Sequence, residues 1–381
     1  MQYAKRRVAV TLSGMELEII DNLDQLEAFC AHAVGQDWVC ADTEFMREDT
    51  YYPKLCLIQI ATQTRIVCID TLIINDLSVL NQLFTSKTIT KVFHAARQDL
   101  EILFMVNGEI PYPVFDTQIA ASALGYGDQI SYAQLVDELC GVQLDKSLSR
   151  TVWTTRPLPD KAIQYAANDV RYLSQAYTLL KKELDDKGRT HWVESECQNL
   201  NDMNKYKPDT HNLWKSVKGA RKLSSKQSNV LRWLARWRDH EAMQQNRPRQ
   251  WIMRDETLHE LAVKQPTSTA SLAQVELLTR KQRGRYAGKL LDCMDRAMQT
   301  RKEDWPEVIA KPALSRQQRK LLKQVKAFVR ERADQLGITP NFLATRSMLE
   351  TLVCEPEELS NLTSWRLDLI GNDLKQLLQE E

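Results

Sequence analysis

No C-x-x-C pair occurs among the eight cysteines of this 381-residue chain. That absence argues against a structural zinc site and against a disulfide frame, so reduced thiols in a cytosol are expected. No run of roughly 18 apolar residues exists either, so no membrane-spanning helix and no membrane partner are expected. The opening stretch "MQYAKRRVAVTLSGMELEII" has a basic cluster but only a short, broken apolar run, unlike a signal peptide. Met15 is an alternative start, because "MELEIIDNLDQLEAFC" already reads as strand then helix. Residues 1–14 are then an N-terminal extension. No obligate protein partner is evident, and the expected location is cytoplasmic.

Large net charge is also missing, at +1 overall, but the balance hides a strong gradient. Residues 1–212 carry a net −9, residues 213–332 a net +16, and residues 333–381 a net −6. The basic middle suits a phosphate-bearing partner, although solvated helix faces would look the same. The length is too great for one ordinary core and predicts two or three domains.

The first half alternates strands and helices. "DWVCADTEFM" reads as a strand running into a loop. "KLCLIQIAT" and "RIVCIDT" are apolar runs joined by Gln63-Thr64, a hairpin signal. "TKVFHAA" is a short strand, and "RQDLEILFMVNG" is a helix stopped by Gly108. Strands followed by alternating helix and strand predict a mixed sheet with helices packed on it. The clearest helix runs from about Pro159 to Lys187, with apolar residues at Ile163, Ala166, Val170, Leu173, Tyr177, Leu180 and Leu184. Tyr165 and Asp169 each precede a member of that stripe by one residue. They therefore lie beside the buried face, about 100° round the helix, where a cleft could be lined.

From about residue 213 the pattern is helical only. The segment beginning at Leu223 aligns without a gap on the segment beginning at Leu314, a shift of 91. Leu231 matches Leu322, Ala242 matches Ala333, and Trp251 matches Phe342. Apolar positions coincide over about 40 residues, as expected for two copies of one small helical domain. Trp233 and Trp251 fall on apolar positions and are expected in the core.

Four acids draw attention. Asp42 and Glu44 are two apart in a strand, so they point to one face with Cα atoms roughly 6.6 Å apart. Carboxylates that close repel unless a cation or water separates them. Asp99 stands early in a helix after the strand "TKVFHAA", and Asp169 sits one turn beyond Tyr165. Taken singly, each has an ordinary reading as a surface or first-turn acid.

Together, "CADTEFMREDTYYPKLCLIQIA", "ITKVFHAARQDLEILF", "LDKSLSRTVWTTRPL" and "YAANDVRYL" resemble the DEDD exonuclease superfamily, in the branch with tyrosine in its third motif. The two helical repeats resemble HRDC domains. The resemblance covers nearly all the chain beyond residue 14. It implies a multidomain protein: an α/β ribonuclease-H-like exonuclease domain at 15–212, then all-α HRDC-like domains at 213–303 and 311–381. It also implies that Asp42, Glu44, Asp99 and Asp169 ligate two divalent cations, Mg²⁺ or Mn²⁺, with Tyr165 completing the catalytic set. The all-oxygen donor set suits such hard cations, which neutralise a phosphodiester and activate water. Tyr165, neutral at pH 7, is given the role of orienting that water.

Weaker candidates surround this set. His94, Tyr52, Lys54, Lys146 and Arg150 are candidates for substrate contact through phosphates or bases. Asp116 and Gln59 are read as structural. The chain departs from the family pattern at Val152, where aspartate is usual before the tryptophan, and at Gln98 before Asp99. Both departures touch substrate grip rather than the reaction. The implied activity is 3′-to-5′ exoribonuclease action releasing nucleoside 5′-monophosphates, in maturation of tRNA and other small RNA, with RNA as partner. The alternatives are a proofreading-type DNA exonuclease and a nucleic-acid-binding platform that no longer cuts.

Overall fold

The computed structural model describes residues 15–145, 151–207, 209–307 and 314–379. The chain divides into two compact units. One comprises residues 1–46, 55–206 and 314–381, and the other residues 47–54 and 207–313.

The first unit is built on a six-stranded mixed sheet in the order β1-β4-β3-β2-β5-β6. Its strands are β1 (Glu16–Ile20), β2 (Trp38–Met46), β3 (Lys54–Ala61), β4 (Arg65–Ile69), β5 (Thr90–Phe93) and β6 (Val114–Asp116). β3 and β4 form the expected antiparallel hairpin, with Ile58 opposite Ile69 and Ala61 opposite Ile66. β1 runs parallel to β4, and β2, β5 and β6 run parallel to one another. β3 is a nearly unbroken apolar run, buried from Leu55 onward, as a central strand covered on both faces must be.

Two apolar cores sandwich the sheet. One gathers α1 (Leu23–Ala33), α2 (Ser78–Thr85) and α3 (Arg97–Asn107) through Leu26, Phe29, Leu80 and Leu103. The other gathers α4 (Thr117–Leu124), α5 (Tyr132–Cys140), α6 (Asp160–Asp186) and α7 (Thr190–Gln198). All seven apolar positions of the α6 stripe are buried. Each large member contributes about 1.5–3 kcal/mol by leaving water. That stripe fixes the rotation of α6, and with it the direction of Tyr165 and Asp169.

The second unit is helical: α8 (Ser225–Gln245), α9 (Arg249–Ile252), α10 (Asp255–Lys264), α11 (Thr269–Leu272) and α12 (Arg280–Gln299). Trp214, Leu231, Leu234, Leu261 and Leu290 make its core. Residues 47–54 belong to it through a clasp. The Tyr51 hydroxyl donates to Asp239 Oδ1 at 2.8 Å, and Arg249 reaches both Asp239 at 2.5 Å and the Tyr51 oxygen at 3.0 Å.

The repeat seen in sequence recurs in the helix boundaries. α13 (Arg316–Leu336), α14 (Pro340–Leu343) and α15 (Arg346–Cys354) each start 91 residues after α8, α9 and α10. Residues 314–379 do not stand apart as the sequence division suggests; they share the core of the first unit. Trp365 stacks on Trp192 at 4.9 Å and on Phe342 at 5.4 Å, and its Nε1 donates to Glu196 at 3.0 Å. A Cβ on Gly125 would come within 2.1 Å of the Gly337 carbonyl oxygen, so that approach requires glycine.

One core assignment is corrected. Trp251 is 55% exposed. Pro248 starts the four-residue α9 in a phase that turns Ile252 inward instead, at 3% exposure. Trp233 is half-buried, with its Nε1 donating to Thr300 at 3.1 Å.

Candidate active site

β2 crosses the first unit with its side chains alternating between faces, so Asp42 and Glu44 emerge together. α6 lies over that sheet and presents Asp169 to them. Ligand oxygens of Asp42, Glu44 and Asp169 lie within 4.8 Å of one another. The three line a cleft of about 340 Å³ with Tyr165, Tyr132, His94 and Asp145. None of the three carboxylates forms an ion pair among the described residues.

Asp99 stands beside this group rather than in it. Its Oδ1 accepts a 2.5 Å hydrogen bond from the Thr43 hydroxyl, on the strand residue between Asp42 and Glu44. Asp116 sets its position. The Asp116 carboxylate accepts from the backbone N–H groups of Ala95, Ala96 and Gln118 at 2.8–3.0 Å. It thereby caps α4 and holds Ala95 in the left-handed region at φ 57°, so that α3 begins with Asp99 in its first turn. The structural reading of Asp116 agrees with this geometry.

The electrostatics follow from the crowding. Burial, and then the neighbouring Asp169 charge, push the Asp42 carboxyl up to about 8. Burial and the charges of Asp42, Asp169 and Asp99 push Glu44 up to about 10. Burial raises Asp169 to about 7 and Asp99 well above the usual carboxylate range. Burial and mutual repulsion thus favour the protonated forms of these acids, and a cation would favour the charged ones. A cluster of carboxylate oxygens without a cationic side chain is the donor set that a hard divalent ion fits. Tyr165 is likewise raised, by burial and the nearby acids, so its hydroxyl keeps its proton.

The weaker candidates separate. His94 lines the cleft, but both ring nitrogens are engaged within the protein, one with the Thr117 hydroxyl at 3.0 Å and one with the Ile130 carbonyl at 3.1 Å. Burial lowers its pKa, consistent with a neutral ring. Tyr52 and Lys54 fall in the segment 47–54 that belongs to the second unit. Lys146 and Arg150 lie outside the described residues.

Sequence reasoning passed over several neighbours. The Tyr132 hydroxyl donates to the Asn168 carbonyl at 2.9 Å and ties α5 to α6 one residue before Asp169. Arg156 forms a two-pronged ion pair with Asp70 at 2.5 and 2.8 Å and donates to the Cys56 carbonyl at 2.9 Å. It pins "WTTRPL" to the sheet and seats the buried Trp153 near Tyr165, with ring centroids 6.3 Å apart. A two-pronged arginine partner leaves no periodic mark in sequence, which is why it was not legible.

A family model described as 3′-5′ exonuclease matches residues 17–185, and an HRDC domain model matches residues 227–294. A ribonuclease D of Bartonella henselae is 36% identical over 382 aligned residues, spanning 99% of this chain and 94% of its own. The chain belongs to the ribonuclease D family. A ribonuclease D of Jannaschia sp. is 37% identical over 95% of each chain. The crystal structure of Escherichia coli RNase D, described as an exoribonuclease involved in structured RNA processing, superposes with a TM-score of 0.86 at 30% identity. It covers 96% of this chain and 99% of that one.

As a ribonuclease D, the protein is a 3′-5′ exoribonuclease, a hydrolase of phosphodiester bonds, with an HRDC domain in its helical region. Enzymes of this superfamily work with divalent metal ions. The Asp42–Glu44–Asp169 group is where such ions could be held among the described residues. No helix among those residues is long and apolar enough to cross a membrane.

Proposed function

We propose that this ribonuclease D trims the 3′ ends of tRNA precursors and other small structured RNAs, holding two divalent cations, Mg²⁺ or Mn²⁺, at Asp42, Glu44, Asp99 and Asp169. The observation that carries the reading is the convergence of three carboxylates, from a strand and a distant helix, within 4.8 Å beside a tyrosine hydroxyl. When bound, the cations supply the charge neutralisation and Lewis acidity that attack on a phosphodiester needs.

The protein's own groups do the positioning. Asp42 and Glu44 are rigid because β2 is an inner strand of the sheet, and Asp169 is rigid because the α6 stripe is buried on both sides of it. Asp99, oriented by Thr43, completes the set from the flank. The Tyr165 hydroxyl, kept protonated, orients the attacking water and does not remove its proton. Tyr132 holds the α6 backbone at Asn168 and so steadies Asp169. The repeat of helix boundaries at a shift of 91 supports reading residues 311–381 as a second HRDC-like module.

The test is incubation of the full-length protein with 5′-labelled RNA in Mg²⁺, in Mn²⁺ and in EDTA. The expected result is stepwise shortening from the 3′ end with either ion, nucleoside 5′-monophosphate as product, and no cleavage in EDTA. Asp42→Asn is expected to abolish cleavage while leaving the circular dichroism spectrum unchanged. Cleavage that persists in EDTA or in Asp42→Asn overturns the site assignment.

A further inference from the structure

Trp233 carries two guanidinium groups on one indole. Arg236 lies 5.2 Å from the ring centroid and Arg296 lies 5.7 Å from it. Both arginines are exposed, and neither forms an ion pair or a side-chain hydrogen bond among the described residues. Like charges gathered on one ring repel, and an anion set between them relieves the repulsion.

The two arginines line a cavity of about 490 Å³ between α8 and α12. That volume falls within the ~300–1,000 Å³ of a small-molecule site. Trp233, Trp237, Met243 and Cys293 supply its apolar lining. Most other charges on the wall are already matched. Lys289 is paired with Glu241 at 2.6 Å, and Asp239 accepts from Arg249 and from Tyr51. Asp292 is exposed and has no ion pair among the described residues. The free fixed charge is therefore two guanidiniums against one carboxylate.

We infer that this cavity binds a nucleoside 5′-monophosphate, with the phosphate between Arg236 and Arg296 and the base against Trp237 and Met243. The ligand class follows from the two halves of the wall. A terminal phosphate monoester carries close to two charges at neutral pH and three acceptor oxygens, so it matches two guanidiniums. An internal phosphodiester carries one charge and leaves the pair half-neutralised. The apolar half takes a flat body joined to that phosphate, and a nucleobase presents such a face. The choice of a nucleotide over other aromatic phosphates rests on the proposed function, whose reaction releases nucleoside 5′-monophosphates at every turnover. The site would hold that product away from the acidic cluster.

Equilibrium dialysis of radiolabelled AMP against the full-length protein in EDTA, at pH 7.5, tests the inference. Without a cation the acidic cluster repels the phosphate, so it does not contribute. One AMP per chain is expected, with ribose 5-phosphate and inorganic phosphate competing about tenfold less well for want of a stacked base. Arg236→Gln and Arg296→Gln are each expected to weaken AMP binding about tenfold, the loss of one charge-assisted contact. Asp292→Asn removes the opposing charge and is expected to tighten binding about threefold, a gain that misfolding does not produce. Unchanged AMP binding in both arginine variants overturns the inference. So does inorganic phosphate competing as well as AMP, which would leave an anion patch and no nucleotide site. Oligoadenylates with and without a 5′-phosphate separate the free nucleotide from an RNA end. Both are expected to compete weakly, and a 5′-phosphorylated oligomer that matches AMP overturns the assignment to the free nucleotide. Cleavage of 5′-labelled RNA in Mn²⁺ by the wild type is read in parallel. Absence of cleavage strikes the enzymatic reading, whereas cleavage without AMP binding strikes this site alone.

Discussion

Binding of a divalent cation at the acidic cluster is expected to release about two protons at pH 7. At that pH a carboxyl with a pKa of about 8 (Asp42) holds about 0.9 proton, one of about 10 (Glu44) about one, and one of about 7 (Asp169) about half. The three titrate as a set, so the count belongs to the cluster and not to a residue. A cation between their oxygens replaces those protons. The apparent affinity must then rise with pH by about one decade per proton, or about 100-fold between pH 6.5 and 7.5. Above pH 10 the dependence fades, because the cluster is already ionised. The same shifts act on folding without metal. The unfolded chain ionises these groups near pH 4, whereas the folded chain keeps its protons. The contribution of these acids to stability is therefore most favourable at low pH and is lost as pH climbs through 4 toward the folded values. Added cation should restore it. Isothermal titration of Mn²⁺ into metal-free protein, in buffers of different ionisation enthalpy, counts the protons directly. Fewer than about half a proton released at pH 7, with a pH-independent affinity, would refute the reasoning that burial and mutual repulsion dominate this site.

Three substitutions test the parts separately. Asp169→Asn is expected to lower kcat by about 10³-fold or more, the scale of losing an electrostatic stabiliser of the transition state. It should also reduce the protons released on Mn²⁺ binding, and turnover at the wild-type rate would remove Asp169 from the site. Tyr165→Phe is expected to lower kcat about 100-fold by freeing the attacking water, with the Mn²⁺ dissociation constant unchanged in calorimetry. An unaltered rate would return Tyr165 to a packing role. Arg249→Ala leaves the nearly buried Asp239 with only the Tyr51 hydroxyl, and a stranded buried charge costs about 3 kcal/mol. Urea unfolding should show the loss, Tyr51→Phe should cost about 1 kcal/mol, and wild-type stability in Arg249→Ala would mean the clasp contributes nothing.

How far the sequence carried each assignment depended on the physics behind it. The α6 stripe was legible because burial of a helix face imposes a 3.6-residue period, and all seven apolar positions are buried as read. The β3–β4 hairpin was legible because a short polar link between two apolar runs leaves few other conformations. The acids were legible only as a set and by resemblance, since each alone has an ordinary surface reading. Trp251 was misread because periodicity assumes one unbroken helix, and the turn at Pro248 resets the phase.

The sequence by itself determined the order of strands and helices, the faces they bury and the repeat at a shift of 91. Those are properties of spacing and residue type along one chain. Tertiary structure alone decided that three of the acids crowd within 4.8 Å while Asp99 stands beside them, bonded to Thr43, and that Tyr51 closes a clasp with Asp239 and Arg249. It also decided that residues 314–379 join the core of the first unit. Each of these depends on groups dozens to hundreds of residues apart meeting in space. Local propensity and periodicity carry no record of such distances; the packing of the buried faces sets them.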